Sequence, residues 1–136
     1  MSHPEFRARL TLEARVSPSE DPAKVAQALA TIAGMGPEAV SIRGESARLA
    51  NEDPKTLVHI RDQLRDRHVR SAARKLLLRD RAGHSASMML NRQAAAAGVV
   101  AVCGSPEESP LGPVYLTITS EELDKVIDWL TAYTGG

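Results

Sequence analysis

Residues 6–16 alternate without a break between apolar and polar side chains, and this pattern constrains the fold more than any other in the chain. A period of two over eleven residues indicates a β-strand with one buried face and one polar face. Ser17-Pro18-Ser19 ends it. The buried side chains are predicted to be Phe6, Ala8, Leu10, Leu12, Ala14 and Val16.

Two Asp-Pro pairs mark the beginnings of helices, because aspartate caps free backbone N–H groups and proline suits the first helical position. Asp21-Pro22 opens a helix that is expected to stop at Gly34, and Asp53-Pro54 opens a second helical region. That region carries two apolar stripes of different phase, so it predicts two helices, or one kinked helix, meeting near residues 66–68. The stripes are Leu57, Ile60 and Leu64, followed by Val69, Ala72, Ala73 and Leu76.

The remaining pattern predicts further strands and one last helix. Short strands are expected on both sides of Gly44, at Met88–Leu90, at Val99–Cys103 and over residues 114–119. A capping box at residues 119–122 opens the final helix. Because strands follow one another without intervening helices, their pairing is mostly antiparallel. The predicted class is α+β, a mostly antiparallel sheet with helices packed on one face, and residues 1–136 are expected to form a single domain.

The charge of the chain is neutral only as a sum. Seventeen basic and seventeen acidic residues give a formal net charge of zero. Residues 61–92 carry nine basic and three acidic side chains, a net of +6, whereas residues 93–136 carry one and six, a net of −5. Total charge therefore argues against binding to nucleic acid, but its distribution does not.

The basic block contains the main candidate site. On a continuous helix, at about 100° per residue, Arg67, Arg70, Arg74 and Arg81 fall within one narrow strip opposite the second apolar stripe. Guanidinium groups in such a strip can form paired hydrogen bonds with phosphates. Arg65, Lys75 and Arg92 are expected to assist. The alternative interpretation is a solvated helix face with local ion pairs to Asp62, Asp66 and Asp80.

The low aromatic content restricts which nucleic acid can bind. The chain has only Phe6, Tyr115, Trp129 and Tyr133, so it lacks the exposed rings on which single-stranded binders stack bases. We therefore expect recognition of the backbone and shape of a structured RNA.

A polar insertion, Leu90-Asn91-Arg92-Gln93-Ala94-Ala95, interrupts two apolar stretches. Asn91 and Gln93 could bond to a base edge or a ribose, with Arg92 on a phosphate. The alternative is that their amides satisfy backbone groups at a turn between two strands. A second segment, Ser109-Pro110-Leu111-Gly112-Pro113, is expected to form a rigid turn.

No motif supports catalysis, so we expect a protein that is not an enzyme and has no catalytic residue, metal site or cofactor. The single Cys103 cannot form an internal disulfide and is expected to be a small buried side chain. No segment has the pattern of a signal peptide or a membrane span, and a cytoplasmic protein that does not contact membranes is predicted.

Four segments together carry a resemblance to a known family: residues 64–74, the polar insertion, residues 109–114 and Ile127-Asp128-Trp129-Leu130. In this order they resemble the uncharacterised archaeal UPF0201 family. The resemblance implies a fold similar to that of the ribosomal protein that binds 5S ribosomal RNA, and it implies a homodimer. It also suggests an association with a P-loop nucleotide kinase, for which the protein would have an accessory role.

Two hypotheses of function follow. The first is a homodimeric RNA-binding protein that contacts structured RNA through the arginine strip. The sequence does not decide whether the polar strand face of Arg7, Arg9 and Arg15 joins this basic surface. The second is a dimeric interaction or accessory module, with the kinase as one candidate partner, whose basic strip pairs with an acidic partner or with its own C-terminal third. A phosphometabolite-binding enzyme is a weaker third alternative.

Overall fold

The computed structural model describes residues 6–132, in which strands and helices combine into an α+β fold. The helices are α1 (Pro22–Ala33), α2 (Pro54–Asp66), α3 (Arg70–Arg79), α4 (Arg92–Ala96) and α5 (Leu123–Leu130). The strands are β1 (Arg9–Arg15), β2 (Ser41–Arg43), β3 (Ser46–Asn51), β4 (Arg81–Ala82), β5 (Ser85–Leu90), β6 (Val102–Cys103) and β7 (Val114–Thr119).

The seven strands form one sheet in the order β2-β3-β1-β7-β5-β4, with β6 on the outer edge of β5. Every pairing is antiparallel, which confirms the predicted class. Strand β1 lies at the centre, where Leu12 is opposite Leu49 of β3 on one side and Leu116 of β7 on the other. All three side chains are buried, so the first strand of the chain forms the middle of the core.

Burial alternates along the strands, as the period of two predicts. Leu10, Leu12 and Ala14 are buried beneath the helices, whereas Arg9, Glu13 and Arg15 are exposed. We call the sheet face that carries these exposed residues the open face. The helices lie on the other face.

Both Asp-Pro pairs open helices in the predicted way. Asp21 Oδ1 accepts a hydrogen bond from the Ala23 N–H at 3.0 Å, and Asp53 Oδ1 accepts one from the Lys55 N–H at 2.9 Å. Helix α1 ends at Gly34, whose φ of 70° is strained for residues with a side chain. A Cβ there would also lie 2.7 Å from Cγ of His59, so only glycine allows α1 and α2 to meet this closely.

The predicted break between the two helices of the basic segment is confirmed. Helix α2 ends at Asp66, α3 begins at Arg70, and His68 between them has a φ of 57°. The left-handed residue stops the helical hydrogen bonding and resets the direction of the chain. In α3 the buried residues are Ala73, Leu76 and Leu77, whereas Ala72, predicted to be buried, is exposed.

Three local predictions differ from the structure. The strand expected at Val99–Cys103 is only the two residues of β6, and residues 92–96 of the expected loop form α4. The predicted capping box is wrong, since α5 begins at Leu123 after Glu122, which makes no side-chain capping bond. Ser120 Oγ instead accepts from the Glu122 N–H and donates to the Arg7 carbonyl, so it ties the residues just before β1 to the start of α5.

Candidate functional site

The four arginines of the predicted strip do not lie on one helix. Arg67 follows the end of α2, Arg70 and Arg74 belong to α3, and Arg81 lies in β4. The strip was derived for an unbroken helix, and the turn at His68 and the end of α3 at Arg79 both interrupt it. The prediction that the four arginines share one face of a single helix is therefore wrong.

Acidic residues of α5 pair with two of these arginines. Arg74 Nη1 donates to Asp128 Oδ1 at 2.6 Å, and Arg81 Nη1 donates to Asp124 Oδ1. The hydrogen bond from Arg81 and its positive charge lower the pKa of the Asp124 carboxyl. Part of the +6 segment thus meets the −5 segment within the same chain, which is the pairing with the C-terminal third that the second hypothesis of function includes.

Local ion pairs occupy other members of the basic segment. Arg65 lies 3.5 Å from Asp62 and 3.2 Å from Asp66, and Arg79 lies 3.0 Å from Asp80. Among residues 6–132, Arg67, Arg70 and Lys75 are exposed and form no ion pair. We call these three residues the helix-junction cluster.

Trp129 has a structural place. Its ring packs edge-on against Phe6, with ring centroids 5.7 Å apart, and lies 4.8 Å beneath the guanidinium carbon of Arg61. Arg61 Nε also donates to the Trp129 carbonyl at 2.9 Å, which ties α2 to α5. Tyr115 is 44% exposed on the open face, and Tyr133 lies outside the described residues.

Two polar side chains of the insertion after β5 form bonds within the fold: Asn91 with the backbone of α4, and Arg92 with Glu20. Asn91 Oδ1 accepts from the Ala94 N–H at 2.9 Å and so caps α4. Gln93 is exposed, but Arg92 is only 5% exposed, and its Nη1 donates to both carboxylate oxygens of Glu20 at 2.7 and 2.8 Å. Arg92 therefore does not face a surface on which it could assist the arginine strip.

The open face carries a second basic surface. The sequence indicated only part of it, the polar strand face of Arg7, Arg9 and Arg15, as a surface that could join the RNA contact. Its arginines come from three neighbouring strands, and we call them the open-face arginines: Arg9 and Arg15 of β1, Arg43 of β2 and Arg48 of β3. Two short alternations were the available signal, with polar residues at 41 and 43 before the turn and at 46 and 48 after it. Strands β2 and β3 are too short, at three and six residues, for such an alternation to be distinguished from chance.

Register places Arg43 and Arg48 at two corners of a small polar square. Arg43 is opposite Ser46, and Ser41 is opposite Arg48, so the arginines and the serines are diagonal pairs. They line a shallow cavity of about 490 Å³ together with two alanines. In the part of the chain that the structure describes, neither guanidinium has an ion-pair or hydrogen-bond partner. The arrangement offers many donors to an anion.

Hydroxyl groups continue the open face towards β5. Ser87 and Thr117 are 3.0 Å apart between their oxygens, and Ser85 and Thr119 are 2.9 Å apart. Two carboxylates share the face. Glu45 lies 3.6 Å from Arg15 with both side chains largely exposed, and Glu13 is the cross-strand neighbour of Arg48. The face as a whole is polar, with a surplus of positive charge.

Other chemistry is sparse in residues 6–132. No three His, Cys, Asp or Glu side chains come together there as a possible metal site. Cys103 is buried, and both its burial and the nearby charge of Glu108 raise the pKa of the thiol. Over the same residues, no helix is long and apolar enough to cross a membrane.

No protein-family model matches this chain, but individual proteins do. It is 35% identical over 129 residues to a UPF0201 protein of Sulfurisphaera tokodaii, covering 93% of this chain and 88% of that protein. A UPF0201 protein of Sulfolobus acidocaldarius is 35% identical over 128 residues, with the same coverage of 93% and 88%.

Solved structures share the fold. The crystal structure of a UPF0201 protein from Methanococcus jannaschii has a TM-score of 0.74 and 23% identity, covering 94% of this chain and 96% of that one. A DUF54 protein from Methanothermobacter thermautotrophicus has a TM-score of 0.70 and 15% identity, covering 94% and 98%.

Proposed function

The chain belongs to the UPF0201 family, and from its own surface we propose that it is a non-enzymatic protein that binds the phosphate backbone of structured RNA. The observation that carries the proposal is the set of open-face arginines, above all the unpaired Arg43 and Arg48 beside Ser41 and Ser46. The expected likeness to the 5S-rRNA-binding ribosomal protein is consistent with this proposal, and remains an implication of the family resemblance.

The chemistry of the open face suits RNA backbone. Arginine forks bond to phosphate oxygens in pairs, and serine and threonine hydroxyls can donate to or accept from a ribose 2′-OH. The face carries one large exposed ring, Tyr115, which is too few for a base-stacking platform. Contacts with phosphate and ribose, which occur along any structured RNA, fit this surface better than reading of bases.

The helix-junction cluster is the second candidate contact. Arg67 and Arg70 are what remains accessible of the predicted strip after the ion pairs to α5 are formed, and Lys75 is an assisting residue that also stays exposed. The cluster lies on the helical side of the sheet, so one RNA helix need not touch both surfaces. Two charge-reversal variants can therefore separate the surfaces.

We expect Arg43→Glu/Arg48→Glu to weaken binding to a structured RNA on the order of 100-fold at low salt, because two charge-assisted contacts are replaced by repulsion. For the unmodified protein with four phosphate contacts, the logarithm of affinity should fall against the logarithm of salt with a slope of roughly −3.6. The double variant should reduce that slope by about two units. Fluorescence anisotropy at several salt concentrations measures both quantities.

The matched control is Arg67→Glu/Arg70→Glu, which makes the same charge change in the helix-junction cluster. A change of less than about threefold is expected there, since the Debye length of about 10 Å at 0.1 M salt screens distant exposed charges. If only the control loses binding, the RNA contact lies at the helix-junction cluster and not on the open face. Absence of binding to every structured RNA tested would refute the proposed function.

A homodimer is the expectation that the family resemblance adds, and one observation bears on its interface. If two copies met through their open faces, the four arginines of each copy would face those of the other, which favours another surface for self-association. Light scattering is expected to give twice the monomer mass of 14.6 kDa. The monomer mass at micromolar concentration would contradict the expectation. A P-loop kinase partner likewise remains a proposal from the resemblance.

A further inference from the structure

Two segments singled out in the sequence, residues 91–95 and 109–113, meet around one buried arginine that the proposed RNA interface does not use. The Arg92 backbone N–H donates to Ser109 Oγ at 3.0 Å. Ser109 Oγ in turn donates to the Gly112 carbonyl at 3.0 Å. The beginning of α4 and the turn before β7 are thus held together, with the Arg92 side chain between them and α1.

The guanidinium of Arg92 is only partly satisfied. Its Nη1 bonds to Glu20, but Nε and Nη2 are buried and have no hydrogen-bond partner among the described residues. Nε and Nη2 form one complete edge of the planar group. That edge donates two parallel hydrogen bonds, the arrangement that matches two oxygens of a carboxylate or a phosphate. A buried donor edge without an acceptor is uncommon in a folded protein and suggests a missing partner.

A cavity of about 380 Å³ adjoins this arginine. Its wall is mainly apolar, with Val25 and Ala28 of α1, Ala96 of α4, and Leu111 of the turn. Four charged side chains also line it: Glu20 is paired with Arg92, Lys24 adds a second positive charge, and the Asp21 carboxylate accepts the hydrogen bond that caps α1. A concave apolar site with few converging polar groups is the usual form of a small-molecule site, and this volume lies within the usual range of about 300–1,000 Å³.

The turn over the guanidinium holds two consecutive left-handed residues. Leu111 has a φ of 67° and is 56% exposed, and Gly112 has a φ of 95°. A Cβ on Gly112 would lie 3.9 Å from Arg92 Nη2, so the turn lies directly against the unsatisfied edge. A leucine in this conformation is strained, and strain of this kind is concentrated at ligand sites. Movement of the turn would uncover the edge of the guanidinium.

We propose that this cavity binds a small organic oxyanion, a carboxylate or a phosphate monoester attached to an apolar body. Once the turn at residues 111–112 has moved off the guanidinium, the two oxygens accept hydrogen bonds from Nε and Nη2 of Arg92, and the apolar body packs against Ala96 and Leu111. The site is separate from the open face, so it does not depend on RNA binding. The bound ligand supplies the hydrogen-bond acceptors that Nε and Nη2 lack within the fold, and it covers the exposed side chain of Leu111.

Titration of the full chain with hexanoate, hexyl phosphate, inorganic phosphate and hexanol tests the proposal. The probe is the arginine Nε–Hε region of a ¹H–¹⁵N spectrum, in which Arg92 is assigned by through-bond experiments. The Arg92 resonance is expected to shift and saturate with hexanoate or hexyl phosphate, and the more effective one identifies the head group. The exposed Arg67 and Arg70 resonances should not follow the same curve.

Other results would overturn the proposal. If the Arg92 resonance does not shift with hexanoate or with hexyl phosphate, the proposed site is refuted. Inorganic phosphate acting as well as hexyl phosphate would refute the apolar part of the ligand, and an equal response to hexanol would refute the anion. None of these results depends on whether the protein binds RNA.

A pair of neighbouring variants provides a second test that leaves Arg92 in place. Ala96→Phe fills the cavity from an exposed position and is expected to weaken hexanoate or hexyl phosphate binding by about tenfold or more. Ala97→Phe, at the next exposed residue, does not line the cavity and should bind as the unmodified protein does. Unchanged melting temperatures confirm that both variants are folded. Equal affinities in the two variants would contradict the location.

Discussion

Glu20→Ala is expected to lower the free energy of unfolding by about 3–5 kcal/mol, because it leaves the buried Arg92 charge without its carboxylate. The side chains of Arg92 and Glu20 are 5% and 12% exposed, so the guanidinium is largely shielded from water. The pair also ties the β1–α1 connection to α4. Urea unfolding monitored by circular dichroism measures the change.

The matched control removes both charges. Glu20→Leu/Arg92→Met replaces the ion pair by apolar side chains and is expected to regain most of the lost stability, since the unpaired charge is then absent. A loss below about 1 kcal/mol in Glu20→Ala would show instead that solvent reaches the guanidinium.

The same pair predicts a dependence on pH. Burial raises the pKa of Glu20, but hydrogen bonds from the Ser17 N–H and from Arg92, together with the Arg92 charge, outweigh it and leave the pKa below its ordinary value of 4.5. The stabilisation is therefore complete above the unfolded pKa and is lost as pH falls through the lower folded pKa. The stability difference between the unmodified protein and Glu20→Gln should shrink on acidification in that window.

Leu77→Ala is expected to cost about 2–5 kcal/mol, whereas Leu78→Ala should change stability by less than about 0.5 kcal/mol. The two residues are neighbours in α3, but Leu77 is 0% exposed and Leu78 is 44% exposed. Because the substitution is identical and the helix is the same, propensity nearly cancels from the comparison. Urea unfolding of the two variants under identical conditions gives the difference directly.

This comparison also tests the rotation of α3 about its axis. The second apolar stripe predicts that Ala72 and Leu76 face inward, whereas in the structure Leu76 and Leu77 are buried and Ala72 is exposed. Similar losses in Leu77→Ala and Leu78→Ala would contradict the packing of the helix as described.

Short-range rules predicted much of the fold. Alternation predicted the buried face of β1, the two Asp-Pro pairs predicted the starts of α1 and α2, and two phases of apolar residues predicted the break near His68. Each of these signals depends on atoms within one or two turns of chain. The start of α5 was missed because Ser120 bonds to Arg7 across the sheet.

The candidate sites were less predictable, because burial of a charge depends on partners that are distant in sequence. Arg92 was interpreted as a phosphate contact, yet its partner Glu20 is 72 residues away. Arg74 meets Asp128 at a separation of 54 residues. A helical projection contains no information about either contact. The open-face arginines required the register of three strands, which no local pattern specifies.

The central position of β1 has a consequence for the order of folding. Ser120 and the Arg7 carbonyl are joined across 113 residues, and β1 pairs with β7 along most of its length. During synthesis the first strand emerges early, but one of its two edges has no partner until nearly the whole chain has left the ribosome. Closing so long a loop carries a large entropic cost and slows folding. The centre of the sheet is thus expected to form last, and an incomplete chain would present one edge of β1 unpaired to its neighbours.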